Sequence, residues 1–230
     1  IPVFNGKNYV PECIESIYHW SIAHRFEVIV VDQNSTDGVS AYLKSCLTLY
    51  KNFVLIHNKQ NIGFAPGVNQ AVAIARGEYI ALCNSDLVFT PGWLDHLLTE
   101  LENDPTIGIV SPMTNYVGEG PQVDPDAQEV DSIHASEYAS LVVNRQGLID
   151  AGDRLVFFCV ALRRSLYNLL GGLAGVYRTG NYEDDDFCLR TRLLGLKLGI
   201  VKRSFVFHYG SRSFKENKID YTEIMLRNES

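Results

Sequence analysis

Polar side chains stand directly after three apolar stretches of this 230-residue chain, at the points where strands would end. They are Asp32 after 26–31, Asn58 after 53–57, and Asn84, Ser85 and Asp86 after 79–83. Ligands of an open parallel sheet bind beyond the carboxyl ends of its strands, where carboxylates and amides can contact them. The same residue types also form turns and cap helices, which for any single position is the commoner role. Three at one sheet edge favour a binding site.

A run of four acids, 183–186, lies in the stretch YEDDDF at the start of a segment with helical spacing. The helix dipole favours acids there, so the run is also explained as an ordinary helix end. Residues two apart on a helix point about 200° apart, so Asp184 and Asp186 cannot face one pocket. The helix start lowers the pKa of Asp184 and acidic neighbours raise it, and which effect is larger stays open. His208 ends the last apolar stretch, in either a structural or a functional role.

Apolar periodicity alternates between the two kinds of element. Predicted helices are 10–25, 40–49, 66–75, 93–103, a short one ending at 171–172, and 184–194; predicted strands are 26–32, 53–58, 79–84, 107–112, 154–164 and 198–210. Strands that are apolar on both faces and separated by helices indicate an α/β fold with a parallel sheet covered on both sides. Proline, glycine and acids dominate 113–137, which predicts a long, mobile loop.

Composition narrows the function classes. The chain has 20 basic and 27 acidic side chains, a net charge of -7 and no basic run, so a nucleic-acid polymer is not an expected partner. Five cysteines without a CxxC pair indicate a reducing compartment, and we expect a cytoplasmic protein with at most peripheral membrane contact. No apolar stretch approaches 18 residues. The opening IPVF has the pattern of a strand end, so we expect the native polypeptide to begin earlier, and an anchor elsewhere stays open.

Four stretches together resemble the successive motifs of family 2 glycosyltransferases, inverting enzymes with the GT-A fold that use nucleotide-sugar donors. They are IPVFNGKNYVPECIESI (1–17), VIVVDQNSTDG (28–38), NIGFAPGVNQAVAIARGEYIALCNSD (61–86) and GNYEDDDFCLRTRLLG (180–195). The resemblance implies a Rossmann-like GT-A domain over 1–214, with a mostly parallel central sheet flanked by helices. Its nucleotide-sugar half would be 1–112 and its acceptor half 113–214, and we expect 215–230 to be a helical tail.

The resemblance also implies a metal and a nucleotide site. Asn84, Ser85 and Asp86 correspond to the family's metal-binding DxD motif, with Asp86 as a ligand to Mg²⁺ or Mn²⁺ and His208 completing the site. Asn84 departs from the motif because an amide contributes no charge. Residues implied at the nucleotide sugar are Pro2, Phe4, Asp32, Asn61, Gly63, Asn69, Asn84 and Ser85. Gly63 is explained equally well as a turn glycine.

The acidic stretch corresponds to the family motif that contains the catalytic base. The resemblance implies Asp184 as the base, Glu183 as the residue that positions the acceptor, and Asp186 as turned away. The implied reaction moves a sugar, from a UDP-sugar in preference, to a hydroxyl of a glycan, lipid-linked glycan or protein. One alternative is a sugar nucleotidyltransferase, which needs a glycine-rich phosphate loop that IPVFNGKNYV lacks. The other is an inactive sugar-nucleotide-binding module, which would tolerate the loss of Asp86 and Asp184.

Overall fold

A computed structural model describes residues 1–118, 120–177 and 182–210, so the tail expected at 215–230 lies outside the described residues. Its strands are β1 (Pro2–Val3), β2 (Val28–Asp32), β3 (Phe53–His57), β4 (Tyr79–Cys83), β5 (Leu87–Phe89), β6 (Ile107–Met113), β7 (Leu148–Asp150), β8 (Cys159–Arg163) and β9 (Lys197–His208). Its helices are α1 (Val10–Trp20), α2 (Val39–Leu49), α3 (Phe64–Ile74), α4 (Trp93–Asn103), α5 (Ala135–Val142), α6 (Arg164–Leu169) and α7 (Glu183–Leu193). None of the helices in these ranges is both long and apolar enough to cross a lipid bilayer.

The described strands form two sheets. The first is parallel throughout and contains β1, β2 and β3. The second has the order β4-β8-β6-β9-β5, with β7 also paired to β9. Here β6 and β9 are parallel, while the remaining pairs are antiparallel. The predicted α/β class and parallel sheet are confirmed, and the antiparallel pairs are a property of the second sheet that apolar periodicity does not specify.

Helices cover both faces of the sheets. The buried side chains of α1, α2 and α4 form one apolar core, and those of α3, α5, α6 and α7 form a second. Neighbouring strand residues alternate between the two, as Val110 and Ile109 of β6 do, because successive side chains of a strand point to opposite faces. This confirms the expectation of a sheet covered on both sides.

The segment predicted as a long, mobile loop is held by buried polar side chains. Gln122 is fully buried, its Nε2 donates to the Val156 carbonyl at 2.8 Å, and its Oε1 accepts from the Val156 N–H at 3.3 Å. Asp124 is also buried and accepts from the Tyr138 hydroxyl at 2.8 Å and from the Arg145 guanidinium. The mobile-loop expectation is therefore wrong around these residues, since composition does not reveal such anchors.

We expect Gln122→Ala to lower the free energy of unfolding by about 1–3 kcal/mol, because both backbone groups of Val156 lose a partner. Gln128→Ala, at an exposed glutamine of the same segment, is the matched control and should change it by less than about 0.5 kcal/mol. Urea denaturation measures both. Equal effects of the two substitutions would show that Gln122 does not anchor the segment.

Candidate active site

Strand pairing brings Asp86 and His208 together. Leu87, the first residue of β5, pairs with His208, the last residue of β9, so the residue before β5 lies beside the end of β9. Asp86 Oδ1 and His208 Nε2 are 3.2 Å apart, and both residues are buried. The structure thus brings together the two residues for which the family resemblance implies a metal site.

The surroundings of His208 set the orientation of its ring. Its Nδ1 lies 2.8 Å from the Tyr116 carbonyl oxygen, which can only accept, so we assign the proton to Nδ1. The Asn115 side chain holds the His208 backbone, accepting from its N–H at 2.8 Å and donating to its carbonyl at 3.1 Å. The Nε2 lone pair therefore faces Asp86 Oδ1 at 3.2 Å, and no hydrogen bond joins these two atoms.

This arrangement suits a divalent cation. A metal-bound histidine commonly donates its other ring N–H to a backbone carbonyl, as His208 does to Tyr116. Two acceptor atoms 3.2 Å apart, one on Asp86 and one on His208, need a proton or a cation between them. No group of three or more His, Cys, Asp or Glu side chains in residues 1–118, 120–177 and 182–210 could hold a metal ion. The pair thus fits a metal whose other ligands come from elsewhere, such as a bound phosphate.

The two residues that lead into β8 connect this pair to the acidic helix. The Phe158 ring stacks on the His208 ring, with centroids 5.5 Å apart and an interplanar angle of 20°. The Phe158 carbonyl accepts from the Asn84 N–H at 2.7 Å, which fixes the end of β4. The backbone of the preceding residue, Phe157, faces the Asp184 carboxylate, where it partly opposes the rise in the pKa that burial causes. Two consecutive residues therefore bring the polar end of β4, His208 and Asp184 into one region.

The four acids at the start of α7 divide into two pairs. Asp185 lies 2.9 Å from the Arg154 guanidinium, and Asp186 lies 2.5 Å from Arg190. Glu183 and Asp184 are buried, and Glu183 Oε2 has no hydrogen-bond partner among the described residues. The arginines thus neutralise the outer pair, and the inner pair remains for a ligand. Asp186 pairs with Arg190 one helical turn later, which agrees with the separate direction that helical geometry predicts for it.

Burial changes the proton affinity of the inner pair. It raises the pKa of Glu183 to about 8, with a further contribution from the charge of Asp184. Burial likewise raises the pKa of Asp184, and the charge of Asp185 adds to this. The question that the sequence left open is therefore answered, because burial and acidic neighbours outweigh the helix start. At neutral pH Glu183 keeps its proton, so Asp184 does not have two ionised neighbours.

Asp32 has its partners within the protein. The residue is fully buried at the end of β2, and its carboxylate accepts from the Ser35 N–H at 3.0 Å and the Ser40 hydroxyl at 2.5 Å. His57 Nδ1 lies 3.0 Å away. Burial raises the pKa of Asp32, but these hydrogen bonds, led by that of Ser40, bring it below its ordinary value. These contacts shape the loop after β2, and the contact of Asp32 with a nucleotide base stays a prediction.

The next residue, Gln33, organises the turn before α3. Its Nε2 donates to the Gly63 carbonyl at 2.9 Å, and its Oε1 accepts from the Ile62 N–H at 3.2 Å and from Asn58 Nδ2 at 3.0 Å. Asn61 Oδ1 accepts from the Gly63 N–H at 2.9 Å. Gly63 has φ 94° and ψ 169°, a conformation that glycine alone adopts readily. Both expected nucleotide residues of this segment thus shape a turn beyond β2 and β3.

The other expected nucleotide residues lie in different surroundings. Pro2 pairs with Val31 in the first sheet, and Phe4 follows the end of β1. Ser85 follows β4 and precedes Asp86 in the chain, and it is buried. The side chain of Asn69 donates a hydrogen bond to the carbonyl of Leu173, which lies far along the chain. Asn69 therefore belongs to a contact between the two halves of the chain.

A cavity of about 400 Å³ lies between β2 and β4, and its lining is largely apolar. None of Asp86, Asp184 and His208 lines it. Polar groups that could bind a charged ligand are concentrated at the other location, around Asp86 and His208. We therefore place the candidate site there.

Comparison with known proteins identifies the family. The model for glycosyl transferase family 2 matches residues 1–170. The match covers most of the chain, and the chain belongs to glycosyl transferase family 2. This confirms the resemblance of its motifs.

A relative and two solved structures illustrate the similarity. A poly(ribitol-phosphate) beta-glucosyltransferase of Bacillus spizizenii is 37% identical over 89 residues, which are 37% of this chain and 14% of that protein. The chain spans less than a third of the length of this relative and of another curated one. S. aureus TarS 1-349 in complex with UDP-GlcNAc has a TM-score of 0.70 at 16% identity, covering 97% of this chain and 62% of that one. Mannosyltransferase PcManGT from Pyrobaculum calidifontis, in complex with GDP-Man and Mn²⁺, has a TM-score of 0.68 at 20% identity, covering 90% and 55%. The structures establish the GT-A fold.

We expect the stability of the chain to depend on pH through Glu183. An unfolded glutamate loses its proton near pH 4.5, whereas Glu183 keeps its proton to about pH 8. The stability from this raised pKa is therefore fully present below pH 4.5 and is lost as the pH rises through about 8, by up to about 1.4 kcal/mol per pH unit. Glu183→Gln should unfold at higher urea concentration than the wild type at pH 8 and lose this advantage at pH 5. Parallel pH dependences would contradict the raised pKa.

Proposed function

We propose that this chain is an inverting glycosyltransferase that moves a sugar from a nucleoside-diphosphate sugar, with UDP as the favoured nucleotide, to an acceptor hydroxyl. Membership of glycosyl transferase family 2 supports the reaction class. The observation that carries the proposal is the contact of consecutive residues, Phe157 and Phe158, with Asp184 and His208. It supports a candidate base near a candidate metal pair.

Asp184 acts as the general base in this mechanism. It removes the proton of the acceptor hydroxyl while the acceptor oxygen forms a bond to the anomeric carbon. The bond between that carbon and the diphosphate oxygen breaks, and its electron pair leaves with the nucleoside diphosphate. Attack from the opposite face inverts the configuration. A carboxylate with a raised pKa accepts a proton more readily, and such assistance contributes about 10²–10⁴-fold.

Glu183 positions the acceptor. With a pKa of about 8, its carboxyl group is protonated at neutral pH and can donate a hydrogen bond to a sugar oxygen. Its Oε2 has no hydrogen-bond partner among the described residues, so it is available for that contact. The neutral form also avoids a second negative charge beside Asp184. The two carboxyl groups thus have different protonation states and different tasks.

Asp86 and His208 would hold Mn²⁺ or Mg²⁺, with the donor diphosphate supplying further ligands. Such an ion, when bound, neutralises the charge that develops on the leaving diphosphate. The similarity to PcManGT, a mannosyltransferase in complex with GDP-Man and Mn²⁺, supports this choice of cofactor. Asn84 adds an amide where the motif usually has a carboxylate, so we expect weak metal binding without donor.

The proposed partners are a nucleotide-sugar donor and a hydroxyl-bearing acceptor, which is a glycan, a lipid-linked glycan or a protein. The poly(ribitol-phosphate) beta-glucosyltransferase among the relatives favours an acceptor of the cell-surface polymer kind. We also propose a cytoplasmic location, with peripheral contact to the inner face of the membrane. The domain limits of 1–214 remain a prediction.

A screen for release of UDP, GDP or TDP from a panel of nucleotide sugars, with Mn²⁺ present, identifies the donor. With that donor, we expect Asp184→Asn to lower the transfer rate by at least about 10²-fold, because asparagine cannot accept the proton. Donor binding should stay near that of the wild type. Asp186→Asn should cost much less than Asp184→Asn, since Asp186 pairs with Arg190 outside the inner pair and the amide oxygen of asparagine can still accept from that guanidinium.

Melting curves of both variants exclude unfolding as the cause. An inactive Asp186→Asn together with an active Asp184→Asn would contradict the base assignment. Failure of every nucleotide sugar to react, with UDP and Mn²⁺ still bound, would instead favour the binding-module alternative.

A further inference from the structure

Asn69 of α3 bonds to both backbone groups of Leu173. Its Oδ1 accepts from the Leu173 N–H at 3.0 Å, and its Nδ2 donates to the Leu173 carbonyl at 2.9 Å. Its Oδ1 also accepts from the Tyr167 hydroxyl at 2.5 Å. Both the oxygen and the nitrogen of the Asn69 amide therefore form hydrogen bonds within the protein, with residues about 100 positions later in the chain.

The glycine beside this contact fits the arrangement. Gly172 has φ 84°, a left-handed backbone conformation that favours glycine. A Cβ on Gly172 would lie 2.7 Å from Asn69 Oδ1 and 3.3 Å from Tyr167 Cε1. Backbone conformation and close approach thus independently require a glycine here, and any side chain would separate Asn69 from the turn.

The same turn is bound from its other side by α7. Arg190 donates to the Leu170 carbonyl at 2.6 Å and to the Gly172 carbonyl at 3.0 Å. Its guanidinium also pairs with Asp186 one helical turn earlier, at 2.5 Å. Residues 170–173 therefore connect α3 of the first half to the helix that begins with Glu183 and Asp184.

We propose that Asn69 is a positioning residue for glycosyl transfer. It fixes the turn 170–173, and Arg190 transmits that placement to α7 and its catalytic acids. The inference rests on the proposed function. It gives Asn69 a positioning role in place of the nucleotide contact that the family resemblance implies. Positioning matters because a displacement of about 1 Å can cost about 10²-fold in rate.

Kinetics of Asn69→Ala separate the two roles. A positioning residue lowers kcat, here by about 10-fold to 10²-fold, and leaves the donor KM and the binding of UDP with Mn²⁺ unchanged within about 2-fold. Tyr167→Phe, which removes only one hydroxyl from the contact, should show the same pattern with a smaller loss. Asn103→Ala, at the exposed end of α4, is the matched control and should change neither quantity.

Gly172→Ala provides an independent approach to the same contact. Its kcat should fall like that of Asn69→Ala, and the double variant should lose no more than the worse single variant, because both substitutions break one contact. Amide hydrogen exchange at Leu173 should accelerate in Asn69→Ala, a readout that needs no enzymatic activity. If no donor reacts, the proposed function fails, while this exchange result and UDP binding still test the placement of Asn69.

Two results would overturn the inference. A raised donor KM with unchanged kcat would return Asn69 to the nucleotide site. Faster exchange at Leu173 with unchanged kcat would show that the turn does not position the catalytic helix.

Discussion

The two residues that lead into β8, Phe157 and Phe158, are the constraint on which the candidate site depends. Phe158 stacks on His208 and bonds to the end of β4, and Phe157 reaches the carboxylate of Asp184. These contacts join elements that are distant in sequence, because β8 lies between β4 and β6 in the second sheet. The antiparallel placement of β8 brings its first residues to the end of β4 where Asn84 lies. The proposed metal pair and the proposed base can therefore share one site only if β8 holds this register.

Ion pairs and burial then give different properties to the four acids at the start of α7. Arginines pair with Asp185 and Asp186, which offsets the charges of these two acids. Burial raises the pKa values of Glu183 and Asp184. Both carboxyl groups therefore bind a proton more strongly, beside the region where the acceptor hydroxyl would react. Such shifted carboxyl groups are common at catalytic sites and uncommon on solvated helix ends. The acidic run is therefore explained as an ordinary helix end only for Asp185 and Asp186, and not for Glu183 and Asp184.

Much of this could be predicted from the sequence, and the limits are physical. Apolar periodicity located most helices and strands, and the strand-end rule found Asp86; applied to 107–112 it would also have indicated the polar residues after β6, including Asn115. Phe158 gave no signal, because an aromatic residue in an apolar stretch has the same pattern whether it packs in the core or contacts a site. The partners of Asp32 and Asn69 are set by tertiary contacts, which motif position does not specify.

Anomalous scattering at the manganese absorption edge tests the central claim most directly. A crystal of the chain with UDP and Mn²⁺ should show one strong peak within bonding distance, about 2.2 Å, of both Asp86 Oδ1 and His208 Nε2. The Phe158 ring should remain stacked on His208. The Asp184 side chain should lie on the same side of the ion as the bound diphosphate. A peak that contacts neither residue, or an Asp184 side chain turned away from the peak, would contradict the account of a single site organised by the residues that lead into β8.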